Sequence, residues 1–582
     1  MAAAPYEEAP SSPRREPPSY STSPRHSYAS SSSTSLEALE TAEGVNIPRP
    51  RHHRSDTLST MMFAFQPDLL PLSLSEPDRE GEPAEKTVGL FTGVALVVGS
   101  QIGSGIFSSP GVVLANVKSV GAALLIWIVG GLLAWTGASS FAELGSMIPL
   151  NGGAQAYLAY AYGPLPSYLF AWTAISVLKP GGAAIIALIF GEYTCRLIFH
   201  ATGVDTSPDD IPQWAIKLTA VGAVFAVSII CVASSKMGTR AAGVFMVVKV
   251  AALISIMILG IVQLIRRRET SSLTEPIFTG TSSNPSSYAL ALYSGLWAYD
   301  GWDQVNYVAG ELKNVERTLP RVIHISMAIV TALFVAANLS YFILLEKSTV
   351  MISNTVALDF GRAFFGSVGG IVFSAMVAFS CFGALNGGFF TSARIIYAAG
   401  QEGFLPSLFG RLHSTRKTPL NAMALQALMT SSFIALGGGF RNLVNFYSVA
   451  SWGFYFLTVL GLLVLRIKEP NLQRPYRTWT ITPLTFSAVA LFLLLMPIFA
   501  APLSALAAVG FILAGIPVYY ITHRGRHGSD DSSKKISKDP VLLRVFPFLG
   551  GLVSRVRGRS EAPRLSQRDR EEETMEMLER RN

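Results

Sequence analysis

The chain has 582 residues, of which 50% are hydrophobic and only 14% charged, with a net charge of +8. Soluble domains carry about 25% charged residues, so the composition excludes an ordinary soluble globule even though the length would allow several soluble cores. The basic residues fall in the tails and between apolar runs, which fits the loops of a membrane protein and gives no reason to expect a nucleic acid partner.

Residues 1–85 are rich in Ser, Pro, Glu and Arg, and the run Ser30-Ser31-Ser32-Ser33-Thr34-Ser35 has nothing to bury. This predicts a disordered cytoplasmic tail, in which Met61-Met62-Phe63-Ala64-Phe65 is a short apolar patch. No cleavable signal peptide is visible, because the first apolar run comes late and is long enough to span. Spans are predicted near 88–113, 121–145, 166–195, 213–234, 240–265, 286–309, 320–345, 366–396, 421–439, 443–466, 477–499 and 502–522. Each is close to the length needed to cross the hydrocarbon, where backbone groups must pair within the segment and only helix will serve.

An even number of spans puts both termini on one side. Loops on that side carry Lys236 and Arg240, then Lys313, Arg317 and Arg321, then Arg411, Arg416 and Lys417, then Arg466, Lys468, Arg474 and Arg477. The positive-inside rule makes that side cytoplasmic, with Arg266-Arg267-Arg268 as an exception in an outer loop. The division is therefore a tail over 1–85, a transporter domain over 86–523 and a charged cytoplasmic tail over 524–582. The apolar piece 541–553 is too short to span and suits the membrane surface or the underside of the bundle. Cys195, Cys231 and Cys381 all lie in or beside apolar runs, so no disulfide framework is expected.

Two spans have unusual middles. The first contains Gly99-Ser100-Gln101-Ile102-Gly103-Ser104-Gly105-Ile106-Phe107, where three glycines with serines weaken a helix. An unwound stretch there would expose N–H groups and the positive end of the following half-helix to a carboxylate. Close packing of a neighbouring helix explains the glycines equally well on this span alone. The sixth contains Gly295-Leu296-Trp297-Ala298-Tyr299-Asp300-Gly301-Trp302-Asp303, and two carboxylates in an apolar run are expensive unless they face a cavity or a partner. Spans one and six are equivalent if ten spans form two five-helix halves, and paired interruptions mark a midplane site in an inverted-repeat transporter. Lys249 sits too deep in span five for easy snorkelling, which suggests a fixed positive charge, a proton-responsive group or a structural tether. Lys179 interrupts span three before Pro180 and reads as structural, and Glu143 near the end of span two is placed to contact a cytoplasmic gate or cap a neighbouring helix.

With these residues in view, the chain resembles the L-type amino acid transporter family within the amino acid–polyamine–organocation superfamily, over about 88 to 522, and looks like a fungal member. The resemblance is carried by Val98 to Pro110, Ala289 to Glu311, Ser380 to Arg394, and Leu465-Arg466-Ile467-Lys468-Glu469-Pro470 followed by Arg474-Pro475. It implies an all-α membrane protein of twelve helices, a five-plus-five inverted repeat with two extra helices. It further implies that Gly103, Ser104 and Gly105 meet a substrate carboxylate, that carbonyls near Ile102 and Trp297 meet the amino group, and that Ala298 and Gly301 stand close by.

Trp297 occupies the family's aromatic gate position, and Lys249 stands where related sodium-coupled transporters hold sodium, which argues for sodium-independent transport. Asp300 and Asp303 each match an acid in branches that accept cationic as well as neutral amino acids. Ser451 replaces an Asn of the large-neutral branch in the side-chain pocket. The outer loop after span three, His200-Ala201-Thr202-Gly203-Val204-Asp205-Thr206, lacks the Cys through which animal members hold a glycoprotein heavy chain, so no disulfide-linked heavy chain is expected.

No nucleotide-binding loop, metal cluster or nucleophile triad stands out, so neither an enzyme nor a cofactor is expected. Exchange of L-amino acids by alternating access at the plasma membrane is the expected function, with a vacuolar membrane as the alternative address. The rivals are a proton-coupled importer using the titratable Lys249, an amino-acid-sensing receptor of the same fold, and a channel, which would need a continuous polar lining.

Overall fold

The computed structural model describes residues 86, 88–201, 211–233, 235–266, 271–401, 405–413, 418–500 and 502–527. The N-terminal tail to 85, the unit 1–57 within it, residues beyond 527 with the piece 541–553, and most of the loop after span three lie outside them, as do Arg267, Arg268, Arg416 and Lys417. Among the described residues the secondary structure is helical, with one isolated bridge between Val88 and Leu312.

The helices follow the apolar runs. They are α1 (Leu90–Gln101), α2 (Gly105–Val117), α3 (Val120–Met147), α4 (Ala154–Tyr162), α5 (Pro164–Thr173), α6 (Lys179–Ala201), α7 (Gln213–Ala233) and α8 (Ser235–Ile265). Then come α9 (Pro285–Ala298), α10 (Val315–Leu344), α11 (Val356–Gln401), α12 (Leu420–Leu436), α13 (Phe440–Lys468), α14 (Ile481–Ala500) and α15 (Pro502–His527). Among the described residues 8 are long and apolar enough to cross a membrane, or up to 9 if the bent pair α1–α2 counts as one span.

The faces these helices expose are apolar. On α7, Leu218, Phe225 and Ile229 lie along one face and are 65%, 54% and 67% exposed, which is tolerable only where the surrounding solvent is lipid. The chain is therefore an all-α, multi-pass membrane protein.

The expected spans that fall short of a full crossing do so for local reasons. The first is cut at Ile102 and the two pieces are bent by 46°. The sixth stops at Ala298 and resumes only as a 3-10 segment, Gln304–Glu311. The ninth, α12, has 17 residues, and in the twelfth, α15, the apolar stretch is the short Ala505–Tyr520. Span three runs from α5 into α6 through a wide π turn, Ala174–Leu178, immediately before Lys179 and Pro180. Proline has no N–H to donate to the preceding turn, and a widened turn accommodates that gap without ending the helix.

Packing joins α3 to α10, α9 to α2, and α11 to both α6 and α8. The chain entering α1 is tied to the far side of the sixth span: the Val88 N–H donates to the Glu311 carbonyl at 3.0 Å and Lys313 returns a bond to the Val88 carbonyl at 3.0 Å.

One ion pair fastens the ends of α3 and α13. Glu143 is fully buried and accepts from Arg466 Nε at 3.0 Å and Nη2 at 2.5 Å. The Thr478 N–H and hydroxyl add bonds at 2.8 and 3.0 Å, so both carboxylate oxygens are satisfied. Arg474 caps the last carbonyls of α13, donating to Leu465 and Glu469 at 3.0 and 2.9 Å. Glu143 thus pairs with an arginine on α13. Removing one partner strands a buried charge, so Arg466→Ala should cost about 3–5 kcal/mol, whereas the exposed Arg477→Ala should stay within about 0.5 kcal/mol. Thermal unfolding of the detergent-solubilised variants checks this, and equal melting temperatures for the two would refute it.

Candidate functional site

The site begins where α1 ends. The Ile102 N–H still reaches the Val98 carbonyl at 2.9 Å, and the Gly103 N–H folds back onto Gln101 O at 2.8 Å. The new helix α2 then starts at Gly105 with Ser104 before it, and the Ser104 side chain makes no capping bond. The first-turn N–H groups of a helix lack intrahelical acceptors and carry the positive end of its dipole, so this end suits an anionic group.

The second break faces the first. After α9, Gly301 takes φ +101°, a backbone region that a residue with a Cβ rarely adopts, and a Cβ there would lie 3.0 Å from Ser100 Cβ. At Gly105 the approach is closer still: an added Cβ would sit 2.5 Å from Ala298 Cα. Gln101, 1% exposed, donates its Nε2 to the Tyr299 carbonyl at 3.0 Å. The two interruptions therefore interlock, glycine against backbone on either side and an amide bond between.

Of the residues singled out from the sequence, Ile102, Ser104, Gly105, Ala298, Gly301, Asp303 and Ser451 are buried, while Gly103, Trp297 and Asp300 are half-buried. Trp297 meets Tyr447 of α13 edge-on, with ring centroids 5.0 Å apart. Tyr447, Ser451 and Tyr455 are four residues apart and share one face of α13. Tyr447 donates to Asp300 Oδ2 at 2.8 Å. The Tyr455 phenol stands 3.3 Å from Asp300 Oδ1 and 3.2 Å from Asp303 Oδ2, bridging the two acids.

The cation facing both acids is Lys179, with its Nζ 5.7 Å from the centre of the Tyr307 ring. Lys249 is also buried, but its electrostatic neighbour is Cys381 on α11, so it does not join the carboxylate cluster. Sequence reasoning passed over Tyr447, Tyr455 and Gln101 and gave Lys179 only a structural part. The four-residue spacing of the tyrosines around Ser451 was the available signal.

Together these elements offer N–H donors for a carboxylate at the start of α2 and, at the end of α9, carbonyls aligned with the negative end of its dipole. They add an indole edge and a pair of acids for whatever lies beyond. Among the described residues no group of three His, Cys, Asp or Glu could hold a metal ion.

The sequence matches the amino acid permease family over residues 88–522. It is 38% identical over 474 residues to the human b(0,+)-type amino acid transporter 1, covering 81% of this chain and 94% of that protein. It is 36% identical over 451 residues to the human cystine/glutamate transporter, covering 76% and 87%. It is 33% identical over 449 residues to the mouse large neutral amino acids transporter small subunit 2, covering 76% and 82%.

Two expectations are corrected by these relatives. The chain looked like a fungal member, but the relatives it matches are mammalian. Motifs within shared helices report the family's packing and site constraints, and these do not distinguish one lineage from another. The expectation of no disulfide-linked heavy chain also falls, because one relative is by name a small subunit, a part of a larger assembly. That expectation came from a missing cysteine in a loop of which 202–210 lie outside the described residues, and a subunit interface also rests on packed surface.

The interlock yields a paired test. Gly105→Ala must push on the Ala298 backbone and should cost about 1–3 kcal/mol, as overpacking does. Gly103→Ala meets its nearest atoms only at 3.9 and 4.0 Å and should be nearly silent. Thermal unfolding of the purified variants checks the contrast; similar losses at both positions would contradict it.

Proposed function

The chain belongs to the amino acid permease family and transports amino acids across a membrane, and from that premise we propose that it exchanges neutral and cationic L-amino acids, without sodium, by alternating access. The observation that carries this reading is the meeting of two helix breaks, an uncapped helix start on one side and two acids on the other. Gly103, Ser104 and Gly105 take the substrate carboxylate, and carbonyls near Ile102 and Trp297 take the amino group. Trp297 covers the substrate, with Ala298, Gly301 and Ser451 shaping the space beside it. Asp300 and Asp303 receive a cationic side chain, as charged groups in a low-dielectric cavity should.

The wider architecture in this reading is twelve helices, ten of them a five-plus-five inverted repeat, occupying 86–523 between cytoplasmic tails at 1–85 and 524–582. The breaks at corresponding positions one and six support it. Lys249 stands as a fixed charge that makes sodium unnecessary, in accord with its burial beside α11. The plasma membrane is the proposed address.

Uptake of labelled leucine into proteoliposomes tests the reading. Replacing sodium by choline should leave the rate unchanged, and unlabelled arginine should compete. Loss of a hydrogen-bonded charge is worth about 1.5–3 kcal/mol, so Asp300→Asn should weaken arginine competition roughly 10- to 100-fold. Arginine that never competes with leucine, or uptake that stops without sodium, would overturn the proposal.

A further inference from the structure

The acid pair holds more negative charge than its surroundings compensate, and this observation rests on the reading above that the pair receives cationic side chains. The groups facing it are Tyr307 from its own segment, Tyr447 and Tyr455 from α13, Lys179 from the start of α6, and Tyr157 from α4. Against two carboxylates stands one ammonium.

The hydrogen count points the same way. Tyr455 has a single O–H, yet its oxygen lies within 3.3 Å of Asp300 Oδ1 and 3.2 Å of Asp303 Oδ2. With both acids ionised, one of those two contacts has no hydrogen in it, and like charges face each other across a phenol in a buried site. One added proton completes the chain: Asp303 donates to the Tyr455 oxygen and Tyr455 donates to Asp300. Asp300 is the better anion of the two, since it also accepts the 2.8 Å bond from Tyr447. Asp303 is 2% exposed and, besides Tyr455, meets the Gln304 amide at 3.3 Å and the Tyr307 hydroxyl.

We propose that Asp303 carries a proton that stands in for the substrate's side-chain cation. When a neutral amino acid occupies the site, the proton stays on Asp303 and crosses with the substrate. When a cationic amino acid enters, its side chain lies against the two carboxylates, and the proton leaves Asp303 for water on the loading side. Loaded forms with either substrate therefore carry the same net charge, and the protein moves protons whenever a neutral substrate is exchanged for a cationic one.

The test uses full-length protein in vesicles loaded with arginine and a trapped pH dye, with labelled leucine outside and a potassium–valinomycin clamp on the potential. About one proton should enter for each leucine taken up against arginine, the rate should ignore the clamp, and leucine–leucine exchange should move no net proton. Exchange that leaves the interior pH unchanged and speeds up when the interior is made positive would overturn the proposal. Asp303→Asn should show that second behaviour, because the titrating group is gone; a variant that acidifies the interior as the wild type does would also overturn it. If the variant does not fold, the wild-type measurement decides alone. Absence of leucine–leucine exchange in the wild type is a separate result, which would bring down the exchange reading and this inference with it.

Discussion

A helix broken inside a membrane must find partners for the backbone groups it frees, and here each broken helix is supported by the other. Ala298 backbone fills the space that Gly105 leaves, Ser100 lies against Gly301, and the Gln101 amide takes up the Tyr299 carbonyl. Non-helical backbone at membrane depth is tolerated where it is buried in protein, and each interruption is buried against the other. The consequence is that the start of α2 and the end of α9 are held against each other, with Gly105 and Ala298 both buried at the contact. In the proposed reading that start and that end take the carboxylate and the ammonium of one amino acid, which would link a constraint of folding to the chemistry of the substrate.

The buried charges divide by how completely they are compensated. Glu143 has Arg466 in bidentate contact, both Thr478 donors and Arg474 at 3.9 Å, so nothing remains for a ligand to add. It is a fastener between α3 and α13. Asp300 and Asp303 share the Tyr455 phenol and have neutral donors in Tyr447 and Gln304, with Lys179 as the cation acting on both, so one positive charge stands against two carboxylates. In the proposed reading the occupant of this under-compensated site is a cation or a proton. The same α13 carries Arg466 at its end and Tyr447, Ser451 and Tyr455 along its length, so one helix is anchored by the first cluster and contacts the second.

Much of this was legible in the sequence because membranes impose few choices. Apolar runs of sufficient length had to be helices, and Gly103, Gly105 and Gly301 marked breaks where an uninterrupted helix would have been cheaper. The proximity of Lys179 to Asp300 and Asp303 was not legible, because the acids are more than a hundred residues away and no local pattern announces them. Tyr447 and Tyr455 stand out only once the fold turns their face of α13 toward the acids. Gln101 was hidden inside a glycine motif whose small residues drew the attention. Lys249 drew attention as a lone buried charge, and the fold puts it beside Cys381 and away from the carboxylates.

The central claim is that substrate bound between the two breaks is what lets the protein change the side it faces. Labelled leucine flux into proteoliposomes, with amino acid inside one set and none inside the other, tests it most directly. Uptake should be rapid into loaded vesicles and very slow into empty ones, since an unoccupied site returns slowly. Equal uptake into both sets would contradict it, because the empty protein would then cross as readily as the occupied one.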